Sequence, residues 1–392
     1  MKKSKIDALL ERQESMSEIN GKTIENMQLE KLNQLLKREK ERSGFYKNLP
    51  ERLYSLDELS SLPFTTDEDL AHNAGGILLC SQSEIQSVIS DATSGTTGAA
   101  KRVFYTKNDC ENTVELFMAG LGELVFPDSV TMICMPFSHA YGLGELISEA
   151  ITGLGARPLN VGVGISFGEL KEILESEKPD TYVGMPVTLL SLLRYCGRGS
   201  LKRALVSGDH CPKTVAAECE KILGSKLFPH YGSREMALGG AISCIAHEGM
   251  HLRENHVIAE IVDENGNVLP RGEYGELVIT TVGMEAMPLI RYKTGDYTRI
   301  LPEKCPCGSS VLRLDTVHRL DDRMEKLDGV LFTLSGLIDC RINEKKELFA
   351  LTDGTVTEAD IKSRGDFASV TIKKADDGDK PLYIGKRRIL PK

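Results

Sequence analysis

The sequence predicts an α/β protein in which a mostly parallel sheet carries helices on its faces. Short apolar runs alternate with amphipathic stretches, as in VTMICMPF (130–137), GELKEILESEKPD (168–180) and TYVGMP (181–186). From about residue 250 the pattern changes to strand-like runs joined by the turns ENGN and PRGEYGE, which is typical of antiparallel strands. Strand–helix alternation predicts the parallel sheet, and the later runs predict a separate β-rich region.

The other elements are predicted by the same signals in chain order. Residues 24–41 place apolar side chains on one helical face, and SLDELSSLPFTTDEDL (55–70) predicts two helices separated by a turn at Pro63, the second opened by Thr65 or Thr66. Further elements are predicted at TLLSLLRYC (188–196, helix), RALVSG (203–208, strand), KTVAAECEKILG (213–224, helix) and KLFPHYG (226–232, strand). We therefore expect a large domain at 1–320, its β-rich subdomain at about 250–318, and a small α+β C-terminal domain at 321–392.

Composition excludes several classes of protein. The chain has 392 residues and a formal net charge of −9, which argues against a nucleic-acid partner because such partners usually require a basic surface. No apolar run is long enough to cross a bilayer, and the basic start has no sustained apolar region, so we expect no membrane association, no signal peptide and a cytoplasmic location. The ten cysteines are scattered, as expected for reduced thiols. Nothing in the sequence reports the oligomeric state, and a homodimer stays open.

One loop is suited to binding phosphate. The stretch DATSGTTGAAKRVFY (91–105) combines two glycines with four hydroxyl side chains ahead of an apolar run. Glycine allows close backbone approach to a ligand, and hydroxyl and backbone N–H groups are donors for phosphate oxygens. The stretch matches neither of the two familiar phosphate-loop signatures, and an ordinary surface turn is the alternative. The predicted phosphate contacts are Thr93, Ser94, Gly95, Thr96, Thr97, Gly98 and Lys101.

Three later stretches carry acids at turns. HYGSRE (230–235) places Glu235 after a predicted strand, and PLIRYKTGDYTRI (288–300) places Asp296 after Thr-Gly. HRLDDR (318–323) joins an arginine to two aspartates where the pattern changes again. In this order, the four stretches resemble the adenylate-forming superfamily of acyl-CoA synthetases, adenylation domains and luciferases, and in particular its phenylacetate–CoA ligase type.

Additional segments extend the resemblance over about residues 24–330. SLPFTTDEDL, RALVSGD and GELVITTVGMEAMPLIRYKTGD are similar to segments of that type. The resemblance implies two half-reactions, in which a carboxylate attacks Mg-ATP to give an acyl-adenylate and a thiol, usually coenzyme A, then displaces AMP. It also implies a large domain that binds ATP and the acyl group and a small mobile C-terminal domain.

The resemblance assigns roles to the acids and their neighbours. Asp296 is expected to accept both ribose hydroxyls, and Glu235 to bind Mg²⁺; a turn aspartate and a glutamate at a helix N-terminus are the alternatives. The other implied nucleotide contacts are Ser207, Gly208 and Asp209 at the adenine edge, Tyr231 and Gly232 against the adenine, and Ser233 and Arg234 beside them. Arg319 is expected to reach the ribose and phosphate, and Asp321 to be the hinge of the small domain.

Near the C-terminus, Lys386 in IGKRR matches the lysine that contacts the carboxylate and α-phosphate during adenylation. A cation there stabilises charge that develops in the transition state. The alternative is a solvated basic terminus, because Arg387 and Arg388 follow directly.

The CPCG stretch predicts a structural zinc site. Cys305 and Cys307 offer two thiolates, whereas structural zinc takes four ligands. Phenylacetate-type ligases have a cysteine and, seven positions on, a histidine, which here implies Cys244 and His251; His247 and His256 are substitutes. Unligated thiols are the alternative.

His139 and Tyr141 lie in PFSHAYGLGE (136–145), where the family builds its acyl pocket, although a core histidine is the alternative. The chain departs from the family pattern at Ala100, at Arg234 and in KLDGVLFTLSGLID, which precedes a short tail. We therefore expect an acid–thiol ligase that uses ATP, Mg²⁺, coenzyme A and a small or aryl carboxylate. The alternatives are an adenylyltransferase or adenylate-forming enzyme with another acceptor, and a non-catalytic nucleotide-binding or zinc-dependent interaction module.

Overall fold

The computed structural model describes residues 4–91, 101–137 and 141–391. The α-helices of this part are α1 Lys5–Glu14, α2 Gly21–Glu41, α3 Asp67–Ile77, α4 Lys107–Leu121, α5 Leu143–Gly153, α6 Phe167–Glu177, α7 Pro186–Cys196, α8 Lys213–Leu223, α9 Arg323–Leu331 and α10 Glu358–Lys362. Short 3-10 helices are at Leu56–Ser61, Gln82–Glu84 and Arg234–Met236.

The strands of the described part carry the remaining regular structure. They are β1 Ile85–Asp91, β2 Lys101–Thr106, β3 Val130–Cys134, β4 Arg157–Asn160, β5 Thr181–Gly184, β6 Arg203–Val206, β7 Phe228–Tyr231, β8 Ala241–Ser243, β9 Met250–Leu252, β10 Ile258–Val262, β11 Gly275–Thr280, β12 Tyr292–Thr298, β13 Arg313–Leu314, β14 His318–Arg319, β15 Leu337–Ile342, β16 Glu347–Thr352 and β17 Ser369–Lys374.

The chain divides into two compact units. The first unit contains the residues up to Glu123 and His230–Leu320, and the second contains Leu124–Pro229 and the residues from Asp321 onward. The predicted domains, 1–320 and 321–392, are contiguous segments, whereas each compact unit consists of two segments. The predicted domain limits stay a prediction.

The first unit is built on antiparallel pairs. β1 pairs with β2, so that Asp91 lies opposite Lys101 across the end of the segment 92–100. A four-stranded sheet has the order β10-β11-β12-β14, and the last residues of β7 pair with β8, which continues through β9 to β13. This part of the fold follows the predicted antiparallel pattern, and it positions β12 between β11 and β14.

The second unit contains the predicted parallel sheet. Strands β4, β3, β5 and β6 lie side by side in parallel, and the first residues of β7 pair with β6. Helices α5 to α8 connect these strands, as the alternating pattern predicts. Two of these helix starts have a local cause: Ser166 caps α6 with a reciprocal capping box, and Pro186 opens α7, where its missing N–H costs nothing.

A single apolar core joins the two segments of the second unit. Leu190 and Leu193 of α7 belong to the same buried cluster as Leu331, Phe332 and Leu337, all of them at most 3 % exposed. A hydrogen bond also joins the two segments, since the hydroxyl of Ser191 donates to the carbonyl of Ile338 at 2.8 Å. Residues 321–391 therefore complete the core of residues 124–229.

The mixed α/β class is confirmed, and the differences are local. α1 is absent from the predicted elements, yet Ile6, Leu9 and Leu10 recur at helical spacing and are buried. α2 begins three residues before the predicted start, because Asn20 accepts from the backbone of Lys22 and Thr23 and caps the helix there. Among the described residues, no helix combines the length and apolar character needed to cross a membrane.

Candidate nucleotide site and metal centre

Lys101 is the centre of a polar cluster in the first unit. Its Nζ lies 2.8 Å from Oδ1 of Asp67 and 3.3 Å from both Oε1 of Glu235 and the hydroxyl of Tyr292. The hydroxyl of Tyr292 also donates to Asp67. The side chains of Lys101 and Glu235 are only 12 % and 7 % exposed, so that their charges interact with little screening by solvent. The cluster therefore joins the start of β2, the turn after β7 and the start of β12.

The electrostatics of this cluster keep Glu235 ionised. Burial raises the pKa of the Glu235 carboxyl, but the nearby Lys101 ammonium, together with hydrogen bonds, outweighs burial and lowers it overall. Burial and the charge of Glu235 act in the same direction on Tyr292 and raise the pKa of its phenol. A buried carboxylate with one cation beside it is a hard oxygen ligand of the kind that Mg²⁺ takes.

Asp296 lies further along β12 and is equally well held. Its Oδ2 accepts from the Tyr231 hydroxyl at 2.7 Å, and its Oδ1 lies 2.8 Å from Nη1 of Arg319. Arg319 pairs directly with Asp296 in the register of β12 and β14. Tyr292 and Asp296 both lie on β12, and, in addition to burial, the charge of Asp296 contributes to the raised pKa of the Tyr292 phenol. The same strand therefore carries a partner of Glu235 and, further along, the partner of Arg319.

Two glycines allow this arrangement. A Cβ on Gly232 would lie 2.3 Å from the carbonyl oxygen of Leu238, so only glycine fits the turn between Tyr231 and Glu235. Gly295 has a φ of +67°, which disfavours other residues, and its carbonyl accepts from the N–H of Leu320 at 3.1 Å. The HYG and TGD sequences therefore specify the backbone next to Glu235 and next to Asp296.

The second unit contains the other predicted nucleotide loop. Ser207 and Gly208 directly follow β6, the N–H of Ser207 donates to the carbonyl of Gly184 at 3.0 Å, and Gly208 has a φ of +84°. Oδ2 of Asp209 accepts from the backbone N–H of Arg387 at 2.8 Å. The structure therefore brings this loop to the C-terminal IGKRR segment, in which Lys386 and Arg388 are exposed and Arg387 is buried.

Two other predicted residues, Asp321 and Tyr141, are described separately from these contacts. Asp321 is exposed and binds Arg323 through both carboxylate oxygens. Tyr141 is half-buried and has a φ of +63°. His139 and the loop from Thr93 to Gly98 lie outside the described residues, as does Ala100.

Sequence reasoning missed Asp67 and Tyr292. Both lie inside motifs that were quoted for the resemblance, and Tyr292 is in the same run as Asp296. Asp67 occupies the first turn of α3, and Thr66 caps that helix with a capping box. An acid in a capped first turn is ordinary helix chemistry, so no local signal indicates that Asp67 contacts a lysine 34 positions away.

The four predicted zinc ligands meet in the first unit. The donor atoms of Cys244, His251, Cys305 and Cys307 all lie within 4.8 Å of one another. Sγ of Cys244 is 3.6 Å from Sγ of Cys305, and Sγ of Cys307 is 3.4 Å from Nε2 of His251. Tetrahedral zinc with thiolate ligands separates its sulfurs by about 3.8 Å, so the donor set and its size fit zinc.

Neighbouring groups orient this cluster. Nδ1 of His251 lies 3.2 Å from the carbonyl oxygen of Val311, which leaves Nε2 facing the cysteines, as in histidine ligands of metals. The N–H of Ser309 donates to Sγ of Cys307 at 3.5 Å, and the Ser309 hydroxyl donates to Asp7 of α1. The substitutes His247 and His256 are not members of the cluster.

Comparisons with known proteins agree with this geometry. Residues 89–286 match the family model described as AMP-binding enzyme. Over 369 residues the chain is 29 % identical to phenylacetate-coenzyme A ligase of Thermus thermophilus, covering 86 % of this chain and 80 % of that protein. It is 31 % identical over 303 residues to phenylacetate-coenzyme A ligase of Aromatoleum evansii, covering 72 % and 65 %.

A solved structure supports the fold. 2-Hydroxyisobutyryl-CoA ligase in the postadenylation state, in complex with R3-HIB-AMP, matches with a TM-score of 0.77 and 18 % identity, over 95 % of this chain and 90 % of that one. The fold is therefore that of an adenylate-forming α/β enzyme. The chain belongs to the AMP-binding enzyme family, and the resemblance to its phenylacetate–CoA ligase type is confirmed.

Proposed function

We propose that this chain is an AMP-forming acid–thiol ligase that joins a small or aryl carboxylate to coenzyme A. A carboxylate oxygen attacks the α-phosphorus of ATP, the bond to the bridging oxygen breaks, and pyrophosphate leaves. The thiol of coenzyme A then attacks the acyl carbon, AMP leaves, and the thiol proton passes to solvent. The observation that carries the proposal is that β12 contributes both to the cluster of Lys101 and Glu235, through Tyr292, and to the pair of Asp296 and Arg319, in a chain of the AMP-binding family.

Asp296 is proposed to hold the ribose. The carboxylate of Asp296 is held by the Tyr231 hydroxyl and by Arg319. An ionised carboxylate is purely an acceptor, which is the partner that two hydroxyl donors of a ribose require. Arg319 has a half-exposed side chain, so its remaining donors are available to a phosphate oxygen without removing its contact with Asp296.

Glu235 and Lys101 are proposed to act together on the polyphosphate. The carboxylate of Glu235 is ionised and buried, which suits a ligand of Mg²⁺, and the ammonium of Lys101 suits the phosphate oxygens that the metal also binds. Asp67 and Tyr292 hold Lys101 in place. The loop from Thr93 to Gly98, which is separated from Lys101 by two alanines in sequence, is proposed to supply further phosphate donors.

We propose that Cys244, His251, Cys305 and Cys307 bind a structural Zn²⁺. The donor set is of the type found in closed structural sites, in which four protein ligands leave no position for water. The proposed metal would join the ends of β8 and β9 to the loop before β13. It would have no part in the chemistry of the acyl group.

A two-part assay tests the ligase proposal. Exchange of labelled pyrophosphate into ATP is measured with a panel of small and aryl carboxylates, and thioester is then measured after adding coenzyme A. Acid-dependent exchange and acid-dependent thioester are expected with the same carboxylate. Absence of both with every acid would exclude the proposal, and exchange without thioester would point to another acceptor.

A second candidate function is an adenylate-forming enzyme that transfers to an acceptor other than coenzyme A. The observation that favours it is the apolar core shared by residues 321–391 and 124–229. Rotation of the C-terminal segment alone about Asp321 would expose Phe332 and Leu337, which are fully buried. The resemblance implies that such a rotation takes place between the two half-reactions. The shared core would oppose this rotation, and therefore the transfer to coenzyme A that follows it.

A further inference from the structure

Arg387 is anchored unlike the two basic residues beside it. It is only 7 % exposed, whereas Lys386 and Arg388 are exposed. Its Nε and Nη2 each donate to one oxygen of Asp328 at 2.8 Å, and its Nη1 donates to Oδ1 of Asp339 at 2.7 Å. Two buried carboxylates therefore neutralise and orient the guanidinium, so its charge serves the protein's own structure.

A closed ring of contacts fixes the main chain at the same position. The N–H of Arg387 donates to Oδ2 of Asp209 at 2.8 Å. His210 lies between two acids, with Nδ1 3.2 Å from Oδ1 of Asp209 and Nε2 2.9 Å from Oδ2 of Asp328. Asp328 returns to the guanidinium of Arg387. The segment thus has side-chain and main-chain anchors, and both end at the loop that follows β6.

The ring determines where Lys386 stands. The N–H that Asp209 accepts belongs to the peptide group that joins Lys386 to Arg387, so this hydrogen bond holds the Lys386 backbone beside the Ser207–Asp209 loop. Replacing buried ion pairs with apolar groups often leaves stability unchanged or higher. The three acids involved are those that contact Arg387 or His210, namely Asp209, Asp328 and Asp339. Their arrangement is therefore better explained by the geometry it imposes on this segment than by a gain in stability.

We propose that Arg387 is a positioning residue for adenylation, and that the ring of Asp209, His210, Asp328 and Arg387 holds Lys386 where the carboxylate attacks the α-phosphate. This inference rests on the proposed function. Arg387 does not touch the substrate and acts through Lys386. A small displacement of a positioned group lowers the rate of the chemical step much more than it lowers ground-state binding.

The variant Arg387→Lys tests the inference, because it keeps the charge but loses the fork that joins Asp328 to Asp339. We expect kcat for acid-dependent pyrophosphate exchange to fall about 10²-fold with little change in KM for ATP. Thioester formation from supplied acyl-adenylate and coenzyme A is expected to stay near that of the wild type. If Arg387→Lys does not fold, Asp328→Asn, which preserves the side-chain shape, is expected to give the same split between the half-reactions.

Two matched variants serve as controls. Arg388→Lys changes the exposed neighbour and is expected to leave both half-reactions unchanged. Arg194→Lys alters another arginine of the same unit, whose side chain donates to the carbonyls of Phe332, Leu334 and Leu337, and reports the effect of lost stability alone.

The outcomes separate the inference from the ligase proposal. Wild-type exchange in the ring variants, equal loss of both half-reactions, or a loss no larger than that of Arg194→Lys at the same melting temperature would overturn the positioning role. Absence of exchange in the wild type with every acid would instead overturn the proposed function.

Discussion

Glu235 and Asp296 carry the same chemical group in two different environments. Glu235 is buried beside the Lys101 ammonium, which keeps the carboxyl ionised, and an ionised carboxylate is the kind of ligand that a divalent cation takes. Asp296 is held by a phenol and a guanidinium, and its carboxylate oxygens are acceptors of the kind that neutral hydroxyls need. The environment of each acid, and not its residue type, separates the proposed metal ligand from the proposed ribose ligand.

This difference predicts different kinetic defects. Glu235→Gln is expected to lower the rate of pyrophosphate exchange about 10²-fold, because it removes charge stabilisation at the phosphates. Asp296→Asn is expected mainly to raise KM for ATP, about tenfold or more, because it weakens hydrogen bonds to a charged acceptor. Steady-state exchange kinetics measure both, with the exposed Glu273→Gln as the control. Equal effects of the two substitutions on KM and kcat would contradict the separation of roles.

His210 predicts a dependence of stability on pH. Burial lowers its pKa, but hydrogen bonds with Asp209 and Asp328 outweigh burial and raise it to about 9 from an ordinary value of 6.5. Because the pKa is raised in the folded state, the stability that the imidazolium contributes is fully present below pH 6.5 and is lost as the pH rises through about 9. Melting temperatures across this range should fall more steeply for the wild type than for His210→Gln. Parallel curves would show that His210 does not bridge the two acids.

At the scale of elements, helix caps determine where a helix begins and therefore where the side chains of its first turn lie. α3 begins at Asp67 because the Thr66 hydroxyl accepts from the N–H of Asp69 while the Asp69 carboxylate accepts from the N–H of Thr66. This box fixes the first turn, which presents Asp67 to Lys101 and Tyr292. α10 has the same box, formed by Thr357 and Asp360, far from the polar cluster in sequence and in the other unit.

The two capping boxes allow a matched prediction. Thr66→Ala and Thr357→Ala should each lower the free energy of unfolding by about 1 kcal/mol, because each leaves a helix N–H without its cap. Only Thr66→Ala should also weaken ATP-dependent exchange, through the displacement of Asp67. Chemical denaturation and exchange kinetics measure the two effects. Equal activity of the two variants would mean that the start of α3 does not support the site.

The four-ligand cluster predicts a metal-dependent stability. The purified chain should contain about one zinc ion, and chelation should lower its melting temperature because the proposed metal would join β8 and β9 to the loop before β13. Cys305→Ser should lose the metal, whereas Cys80→Ser, at a half-buried cysteine outside the cluster, should keep it. Metal analysis with no zinc, and melting unaffected by chelators, would end this proposal.

For the molecule as a whole, the shared core of the second unit matters most. Fully buried side chains from the C-terminal segment, among them Leu331, Phe332, Leu337 and Leu351, belong to the same cluster as those of α7 and α8. Each contributes about 1.5–3 kcal/mol when buried, so losing four of them costs about 6 kcal/mol or more. That is comparable with the whole stability of an ordinary domain.

In a chain ended after Leu320, residues 124–229 are therefore expected not to fold, whereas the first unit keeps all of its residues. The fragment should bind hydrophobic dyes and lose amide protection in residues 124–229 in hydrogen exchange, because the faces of α7 and α8 lose their cover. Supplying residues 321–392 as a separate polypeptide should restore this protection. Full protection of residues 124–229 in the 1–320 fragment would show that the C-terminal segment is an independent domain.

The sequence by itself determined the features that depend on short stretches. Strand–helix alternation and the antiparallel runs after residue 250 follow from local periodicity, and the HYG and TGD turns follow from glycine chemistry at Gly232 and Gly295. The acids at these turns, and the CPCG pair, could be predicted for the same reason. Only the tertiary structure decided that Asp67 meets Lys101, that Arg387 rather than Lys386 is buried, and that residues 321–391 complete the core of 124–229. These are contacts between residues distant in the chain, and packing selects them through shape and desolvation that no local pattern records.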